Sequence, residues 1–219
     1  MHRPLYAPWQ PGEALMREER RRVAVRLLHE MDVLPGGSTH CLEVGVGTVG
    51  WLPELLSWGV AATALHGIDI DADRLAVARS LLPVADLRLG TVARLPWPDS
   101  TFGLVVASTT FTSILDGDVR LAAAREIDRV LAPGGALLWY DFAQASSNPG
   151  VRAIPRSELA SLFPCLHGPV RRVTLAPPLA RLVAPRSWLA ATALSAVPWL
   201  RTHLIGVLVK DRSGSERVR

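Results

Sequence analysis

Cysteine is scarce in this chain, with only two residues, Cys41 and Cys165, among 219. They lie in unrelated contexts and not in a CxxC arrangement, so neither a disulfide framework nor a cysteine-based metal site is expected. The pattern predicts two buried thiols in a reducing compartment. A chain of this length buries roughly 70% of its unfolded surface and needs no such cross-links to fold.

Long apolar runs are also missing, and none reaches the ~18 residues of a membrane-spanning helix. The nearest approach is the stretch 188–200, which Pro198 interrupts. Residues 1–16 lack the apolar core of a signal peptide. We therefore expect a cytoplasmic protein with no membrane span.

Charge of one sign is not in large excess, since the net charge is only +4. Basic clusters at 20–22 and 171–172 contain no interleaved aromatic residues. This composition favours solvated helix faces and strand ends over contacts with nucleic acid or anionic lipid. We expect no nucleic-acid partner, and a monomer or a homodimer.

The chain does show a regular alternation of short apolar runs with helical patterns. A helical stripe over 13–34 comes first, and the following apolar runs predict strands at 41–44, 61–70, 86–89, 103–108 and 136–142. Helical patterns separate these runs, and Pro133-Gly134-Gly135 ends the last of them. Strands that alternate with helices at this spacing form a parallel sheet with right-handed crossovers. The sequence therefore predicts a doubly wound α/β fold.

The rhythm changes after Phe142, but no linker is long enough to separate two domains. A turn at 148–150, a short helix at 155–162, strands at 171–175 and 203–209, and a broken helical stretch over 177–200 are expected. We predict one domain over 1–211, with an N-terminal helix or lid (1–38), a core (39–142) and a C-terminal part (143–211). Residues 212–219 are expected to form a flexible tail.

The strongest local signal is a glycine-rich turn, Gly45-Val46-Gly47-Thr48-Val49-Gly50, between the first expected strand and a helix. Glycines let the backbone turn sharply and let a ligand approach the main chain closely. The free amides at a helix start favour a carboxylate or a phosphate. A turn of this kind can also be purely structural, so its position and the acid downstream decide its weight.

That acid is Asp69, at the end of the second expected strand. A carboxylate at this place in a nucleotide-binding sheet can accept both hydroxyls of a ribose. The alternative is that Asp69 or Asp71 caps the next helix. Asp71 suits the cap better by position, which leaves Asp69 for the ribose.

Glu43, in the strand directly before the turn, separates two nucleotide cofactors. Its carboxylate would repel the pyrophosphate of NAD and attract the ammonium and sulfonium of S-adenosylmethionine, a difference of about a few kcal/mol in a partly dry cleft. Glu43 therefore favours S-adenosylmethionine. A structural alternative pairs Glu43 with an arginine at the sheet edge.

Four blocks in this order resemble the class I S-adenosylmethionine-dependent methyltransferases, the seven-stranded Rossmann-like family, and within it the small-molecule branch called methyltransferase type 11. The last block matches the pattern E-x-x-R-V-L-x-P-G-G and is the most diagnostic, although its role is mainly structural. The resemblance implies a mostly parallel sheet with an antiparallel last strand. The four blocks are Leu42-Glu43-Val44-Gly45-Val46-Gly47, Gly67-Ile68-Asp69-Ile70, Leu95-Pro96-Trp97-Pro98-Asp99-Ser100-Thr101-Phe102 and Glu126-Ile127-Asp128-Arg129-Val130-Leu131-Ala132-Pro133-Gly134-Gly135.

The resemblance implies S-adenosylmethionine as cofactor and assigns residues around it. Glu43 and the glycines would surround the methionine part, Asp69 would hold the ribose, and Ile70 would pack on the adenine. No metal is expected. The full set of expected cofactor-binding residues is Glu43, Gly45, Val46, Gly47, Gly50, Asp69, Ile70, Thr91, Val92 and Ser108.

The chain departs from the family pattern at three positions. The third glycine of the turn, Gly50, falls one residue late; Thr91 follows Gly90 where the family has an acid that contacts adenine; and Gly103 replaces an acid after Phe102. The departures leave the fold prediction intact. They keep open a weakened activity, or a protein that retains the fold without catalysis.

In this family the acceptor is bound mostly after the fourth and fifth strands and by helical insertions, here 108–113, 139–142 and 177–200. The chain is also similar, through its WYDF, NP-x-VR and LAPPLAR elements, to bacterial methyltransferases of undefined substrate. The expected function is methyl transfer to an oxygen or nitrogen atom of a small molecule. A non-catalytic protein of this fold and an NAD-dependent oxidoreductase are the alternatives.

Methyl transfer needs a base only if the acceptor must lose a proton early. Asp141 and Tyr140, at the end of the fifth strand, are the candidate catalytic residues by topology, with loop capping as the alternative for Asp141. His167 and His203 are weaker candidates. Tyr6 and Trp9 could form a lid over the cleft, or an anchor on the core.

Overall fold

The computed structural model describes residue 7 and residues 9–48, 50–144 and 150–212. Tyr6, Val49, Asn148 with Pro149, and the tail from residue 213 lie outside the described residues. None of the helices within those ranges is long and apolar enough to cross a membrane.

Five parallel strands form the first part of the sheet, as the apolar runs predicted. They are β1 (Cys41–Val44), β2 (Leu65–Asp69), β3 (Asp86–Leu89), β4 (Phe102–Ser108) and β5 (Leu131–Phe142). Their order across the sheet is β3-β2-β1-β4-β5, which places the strand reversal beside β1 and β4. Open α/β sheets bind their ligands at such a point, outside the carboxyl ends of the strands.

The remaining strands are antiparallel to β5 or to each other. They are β6 (Leu166–His167), β7 (Val170–Leu175) and β8 (Arg201–Lys210), and β8 pairs with β5. Both β6 and β7 pair with β8 in one continuous register, from Leu166 opposite Lys210 to Leu175 opposite Arg201. The sheet therefore has the seven strands that were predicted, but the sixth is interrupted at Gly168 and Pro169 and counts as two, β6 and β7. A Cβ at Gly168 would lie 2.0 Å from the Val207 carbonyl oxygen, so no other residue fits at the interruption.

Helices cover both faces of the sheet and bury alternate strand residues. On one face lie α1 (Pro11–Glu30), α2 (Leu52–Ser57) and α3 (Ala72–Leu81), packed on Leu104 and Val106. On the other lie α4 (Gly117–Val130) and α5 (Arg156–Leu162), packed on Val105 and Leu137. The first helix is shorter than the predicted 13–34, because its pattern ends at Glu30 before the turn at Met31 and Asp32.

A third apolar cluster joins the N-terminal helix to the C-terminal helices α6 (Pro177–Val183) and α7 (Trp188–Ser195). The two prolines expected to break this stretch, Pro185 and Pro198, separate α6, α7 and a 3-10 turn at 198–200. At the crossing of α1 and α6, a Cβ on Gly12 would lie 2.8 Å from the Cα atom of Arg181. The two helices therefore touch backbone to backbone at Gly12.

Three further local predictions need correction. The second strand begins at Leu65 and not at residue 61, because Ala62–Ala64 forms a 3-10 turn. Cys41 is buried, but Cys165 is exposed at the end of the α5 region, and neither forms a disulfide. The fifth strand begins at Leu131 and not at Ala136, because Leu131 already pairs with Phe102 before a register shift admits the Pro-Gly-Gly residues. Gly134 has a φ of +77°, which suits glycine at this irregularity.

Candidate active site

A cavity of about 650 Å³ lies at the carboxyl ends of β1, β2 and β4, and is called the first cavity below. This volume is in the usual range for ligand sites, 300 to about 1,000 Å³. All ten residues expected to bind the cofactor border it, from Glu43 on β1 to Ser108 on β4. The fold thus brings the first two family blocks together with Thr91, Val92 and Ser108.

Glu43 is almost fully buried beneath the glycine turn and holds the start of α2. Both of its carboxyl oxygens lie 2.8 Å from the Trp51 amide nitrogen, and Oε2 also accepts from the Leu52 amide at 3.1 Å. Burial raises the pKa of Glu43 to about 7, against the lowering effect of these hydrogen bonds. The carboxylate is therefore shared between helix capping and the cavity wall, and among the described residues no arginine lies within ion-pair distance of it.

The late third glycine follows from this arrangement. A Cβ on Gly50 would lie 2.3 Å from Oε1 and 2.4 Å from Oε2 of Glu43. Such separations do not occur between real atoms, so the buried carboxylate requires glycine at position 50. The third glycine therefore lies one residue later than in the family pattern, at the position where it makes room for the Glu43 carboxylate.

The other two glycines shape the turn itself. Gly45 has a φ of +77°, and a Cβ there would lie 2.6 Å from the Thr110 hydroxyl oxygen. Gly47 has a φ of +60°, and no atom of the described residues lies within 4 Å of an added Cβ. Open space at a left-handed glycine lets a ligand approach the main chain.

Asp69 lies at the end of β2 with its carboxylate turned toward the glycine turn. Its Oδ2 accepts from the Gly47 amide at 2.7 Å and its Oδ1 from the Asp71 amide at 2.9 Å. Each carboxylate oxygen keeps a second lone pair, so both can still accept from a ribose hydroxyl. Asp71 caps α3 by accepting from the amides of Asp73 and Arg74. Asp71 therefore caps the helix, and Asp69 is not needed for that role.

The far end of the first cavity is lined by two apolar side chains and one hydroxyl, a lining that suits an adenine ring. Ile70 is 77% exposed at its rim, Val92 is buried in its wall, and Thr91 is exposed beside them. The Thr91 hydroxyl accepts from the Ala93 amide at 3.2 Å. Gly103 lies elsewhere, against Thr39 and the His40 carbonyl oxygen, so its departure from the family pattern does not touch the cavity.

Arg20 is a site residue that the sequence reasoning missed. It was placed in a solvated basic cluster, yet its guanidinium lies over the rings of Trp51 and Tyr140, at 4.7 and 5.1 Å from their centroids. It donates to the Ser108 hydroxyl at 3.3 Å, and its buried Nε has no partner among the described residues. The signal was its helical spacing from Met16, Ala24 and Leu27, which are all buried.

A second cavity, of about 340 Å³, adjoins the first and shares Arg20 and Thr109 with it. It lies between α1, the ends of β5 and β8, and α6. Three of the expected acceptor segments contribute to it, through Thr109, the pair Tyr140 and Phe142, and the pair Pro177 and Arg181. The remaining lining residues are Glu13, Met16, Arg17 and His203.

Tyr140 and Asp141 are neighbours on β5, so their side chains point to opposite faces of the sheet and cannot share one cleft. Tyr140 borders the second cavity, but its hydroxyl is bonded to the Thr174 hydroxyl at 2.8 Å, and burial raises its pKa to about 12.

Asp141 borders neither cavity. It is fully buried and accepts from the Phe111 amide at 2.9 Å, the Thr112 amide at 3.2 Å and the Thr112 hydroxyl at 2.6 Å. Burial raises its pKa to about 6. The geometry favours the alternative of loop capping over proton transfer.

The weaker candidates separate clearly. His167 is exposed and faces Asp211 at 3.4 Å. His203 is buried in the wall of the second cavity, where its ring stacks on Tyr140 with centroids 4.8 Å apart. Burial, assisted by Arg20, lowers the pKa of His203 to about 3, which keeps the imidazole neutral. Trp9 is 71% exposed and so does not act as an anchor on the core.

The family block before β5 has the structural role expected for it. Arg129 donates to the Leu95 and Trp97 carbonyl oxygens and pairs with Glu126 and Asp99. Glu126 accepts from the Leu95 amide at 2.7 Å. These bonds fix the segment before β4 against α4. Across the described parts of the chain, no group of three or more His, Cys, Asp or Glu side chains could hold a metal ion.

Comparison with known proteins agrees with this geometry. The model of the methyltransferase domain family matches residues 42–139. No curated protein matches the chain.

Among solved structures, a SAM-dependent methyltransferase from Methanosarcina mazei superposes with a TM-score of 0.64 at 17% identity, covering 83% of this chain and 97% of its own. The [4+2]-cyclase SpnF superposes with a TM-score of 0.61 at 22% identity, covering 87% and 81%. Geranyl diphosphate C-methyltransferase from Streptomyces coelicolor A3(2), solved with S-adenosyl-L-homocysteine, gives 0.63 at 16% identity, covering 87% and 77%.

The order of the strands, the ten residues around the first cavity and the family match point to one conclusion. S-adenosylmethionine is the cofactor, and the NAD alternative is not retained. Residues 42–139 match the methyltransferase domain family, and the chain has the Rossmann-like fold of class I S-adenosylmethionine-dependent methyltransferases.

Proposed function

We propose that this protein transfers a methyl group from S-adenosylmethionine to an oxygen or nitrogen atom of a small molecule bound in the second cavity. The observation that carries the proposal is the adjacency of two cavities that share Arg20 and Thr109. One is built by the family's cofactor motifs and the other by the segments expected to bind the acceptor. We further take residues 1–211 as one functional unit, cytoplasmic and monomeric or dimeric.

The residues of the first cavity fit the cofactor. Gly47 offers open backbone, Asp69 retains free lone pairs, and the buried Nε of Arg20 lacks a partner. Asp69 would hold the ribose, and Ile70, Thr91 and Val92 would surround the adenine. Gly45, Val46, Gly47 and Gly50 would pass along the methionine part, Glu43 and Arg20 would face its ammonium and carboxylate, and Ser108 would border the reacting end.

When bound, the cofactor supplies an activated methyl group on a sulfonium that is already a good leaving group. The task of this chain is therefore to align the acceptor with that methyl group and to keep water out. Tyr140 and His203 supply a flat, dry wall for this purpose, and Thr109 lies at the opening between the cavities.

Among the described residues, the one carboxylate that borders the second cavity is Glu13, which is paired with Arg181. Asp141 is bonded to its own loop, the Tyr140 hydroxyl has a pKa of about 12, and the His203 pKa is about 3. A base is needed only where the acceptor must lose a proton early. We therefore propose an acceptor that is nucleophilic without help, such as a neutral amine or an oxygen that ionises near neutral pH.

The first experiment is calorimetry with S-adenosylmethionine, S-adenosylhomocysteine and NADH, followed by a labelled-methyl screen over cell extract. We expect binding of the first two, none of NADH, and a labelled small molecule. Binding without any labelled product would favour the second candidate function, a protein that retains the cofactor site without methyl transfer. The superposition on a [4+2]-cyclase gives that candidate its support, since that protein has this fold.

A further inference from the structure

We propose that the acceptor carries an anionic group, a carboxylate or a phosphate, on an apolar body, and that Arg17 binds this group in the second cavity. The inference rests on the proposed function and names the chemical class of its acceptor. It is drawn from the charges and rings that border the cavity.

The charged lining of the second cavity is unbalanced. Arg17, Arg20 and Arg181 border it together with a single acid, Glu13. The Arg181 guanidinium lies 2.8 Å from the Glu13 carboxylate, so these two charges offset each other. His203 adds no charge, because burial holds its pKa far below neutral, at about 3. Arg20 also borders the first cavity, where it donates to Ser108, so Arg17 is the one arginine of this lining that no described group offsets.

Arg17 and Arg20 are three residues apart on α1 and so lie on one face of the helix. Like charges at this spacing destabilise a helix. Burial lowers the pKa of Arg20, and the charge of Arg17 lowers it further. An anion bound to Arg17 would reduce this repulsion.

Arg17 is also free to bind. Within the described ranges, no side chain or carbonyl group lies at hydrogen-bonding or ion-pair distance from its guanidinium, and it is only partly exposed. Arginine presents its donors in a planar fork that matches carboxylate and phosphate oxygens. Arg17 is therefore a cation with unused hydrogen-bond donors in the wall of the second cavity.

The opposite wall is aromatic and selects the rest of the acceptor. The Tyr140 and His203 rings stack at 4.8 Å and 7°, and the Phe142 ring centroid lies 3.9 Å from that of His203. Met16 and Pro177 complete an apolar surface. At roughly 30 Å³ for each water-sized unit, the cavity holds roughly 11 non-hydrogen atoms. A small acid with one ring or a short apolar chain fits these limits.

The test uses three phenols that differ in the group opposite the hydroxyl, titrated by calorimetry into the full chain saturated with S-adenosylhomocysteine. They are 4-hydroxybenzoate, 4-hydroxyphenyl phosphate and the neutral 4-hydroxybenzamide. We expect at least one anion to bind about tenfold more tightly than the amide, because a charge-assisted bidentate contact is worth that much. The tighter of the two anions identifies the group as carboxylate or phosphate.

Arg17→Gln supplies the residue-level test, and Arg26→Gln, an exposed arginine of the same helix, is its matched control. Arg17→Gln should remove the preference for the anion while leaving the affinities for the amide and for S-adenosylhomocysteine unchanged. Arg26→Gln should change none of the three. Thermal unfolding checks that both variants fold.

Equal affinity for the amide and both anions, or no binding of any probe, would overturn the inference while the cofactor titration still supports a methyltransferase. Loss of the anion preference in Arg26→Gln as well would also overturn it, since bulk charge would then explain the effect. If S-adenosylhomocysteine does not bind, the proposed function fails. The same titrations on the unliganded chain then still decide whether Arg17 selects an anion.

Discussion

The two adjoining cavities differ in charge and in how the chain builds them. The first is bordered by two acids, Glu43 and Asp69, and by two arginines, Arg20 and Arg74, at the ends of neighbouring parallel strands. The second is bordered by three arginines and one acid, and draws its walls from α1, β5, α6 and β8. The charges of the lining therefore balance in the first cavity and are positive in excess in the second. A cofactor with charges of both signs suits the first, and an anion suits the second.

The largest expected effect concerns the carboxylate that topology offered to the second cavity. Asp141→Asn should destabilise the fold by about 2–4 kcal/mol, because a buried carboxylate with four protein donors loses part of its hydrogen bonding. The pH profile of kcat should keep its shape. Denaturant unfolding and a methyl-transfer assay measure the two quantities. A stable variant with abolished turnover would return Asp141 to catalysis.

The next effect tests the acidic character of the first cavity. Asp69→Ala should weaken S-adenosylhomocysteine binding at least tenfold, a loss of about 1.4 kcal/mol or more, because charge-assisted hydrogen bonds to the ribose disappear. Asp71→Ala is the matched control: it should lower stability by about 1 kcal/mol through loss of the α3 cap, with the affinity unchanged. Calorimetry and thermal unfolding measure both. Unaltered affinity in Asp69→Ala would remove this residue from the site.

The next effect tests the contact between Gly50 of the glycine turn and the Glu43 carboxylate. Gly50→Ala should destabilise the protein by about 1–3 kcal/mol, because its Cβ would collide with the Glu43 carboxylate. In a Glu43→Ala background the same substitution should cost much less, so that the two changes are not additive. Chemical denaturation of the four proteins of this cycle gives the coupling. Full additivity would contradict the contact between Gly50 and Glu43.

The smallest effect is a pH dependence confined to the first cavity. Burial raises the Glu43 pKa to about 7, so its attraction for a cationic ligand grows as the group ionises. S-adenosylmethionine affinity should therefore rise about threefold between roughly pH 6 and 7.5, below the range where an α-amino group loses its proton. Glu43→Gln should abolish the rise. Arginine stays charged over this range, so anion binding in the second cavity should not follow the same curve.

Protein stability should move in the opposite direction from this affinity. The folded chain retains the Glu43 proton up to a pH of about 7, whereas the unfolded chain releases it near the ordinary value of 4.5. The favourable contribution is therefore complete below about pH 4.5 and is lost as pH rises through 7. Unfolding of the wild type and Glu43→Gln across this range isolates the contribution.

The sequence predicted the first cavity well because its determinants are local. The parallel strands follow from the alternation of patterns, and the acids and glycines lie at fixed offsets from strand ends. What it could not predict is competition for the same oxygen atoms. Glu43 was expected to serve the cofactor, but the amides at the start of α2 take part of its capacity, and only three-dimensional geometry shows this.

The second cavity was predicted only in outline for the opposite reason. Arg20 and His203 are far apart in the chain, and no short pattern links them. Asp141 illustrates the limit: its position on β5 was predicted correctly, but the face of the sheet to which it points decides its role. A shift of one residue along a strand exchanges the faces, so Tyr140 reaches the cavity and Asp141 does not.

Gly12 has a consequence for the evolution of substrate range. Because the backbones of α1 and α6 touch at that residue, it sets the gap between the two helices that border the second cavity. A bulkier residue there would push the helices apart and widen this cavity, although Gly12 does not border it. If the acceptor binds there as proposed, a single change at the helix crossing admits thicker molecules without altering the chemistry.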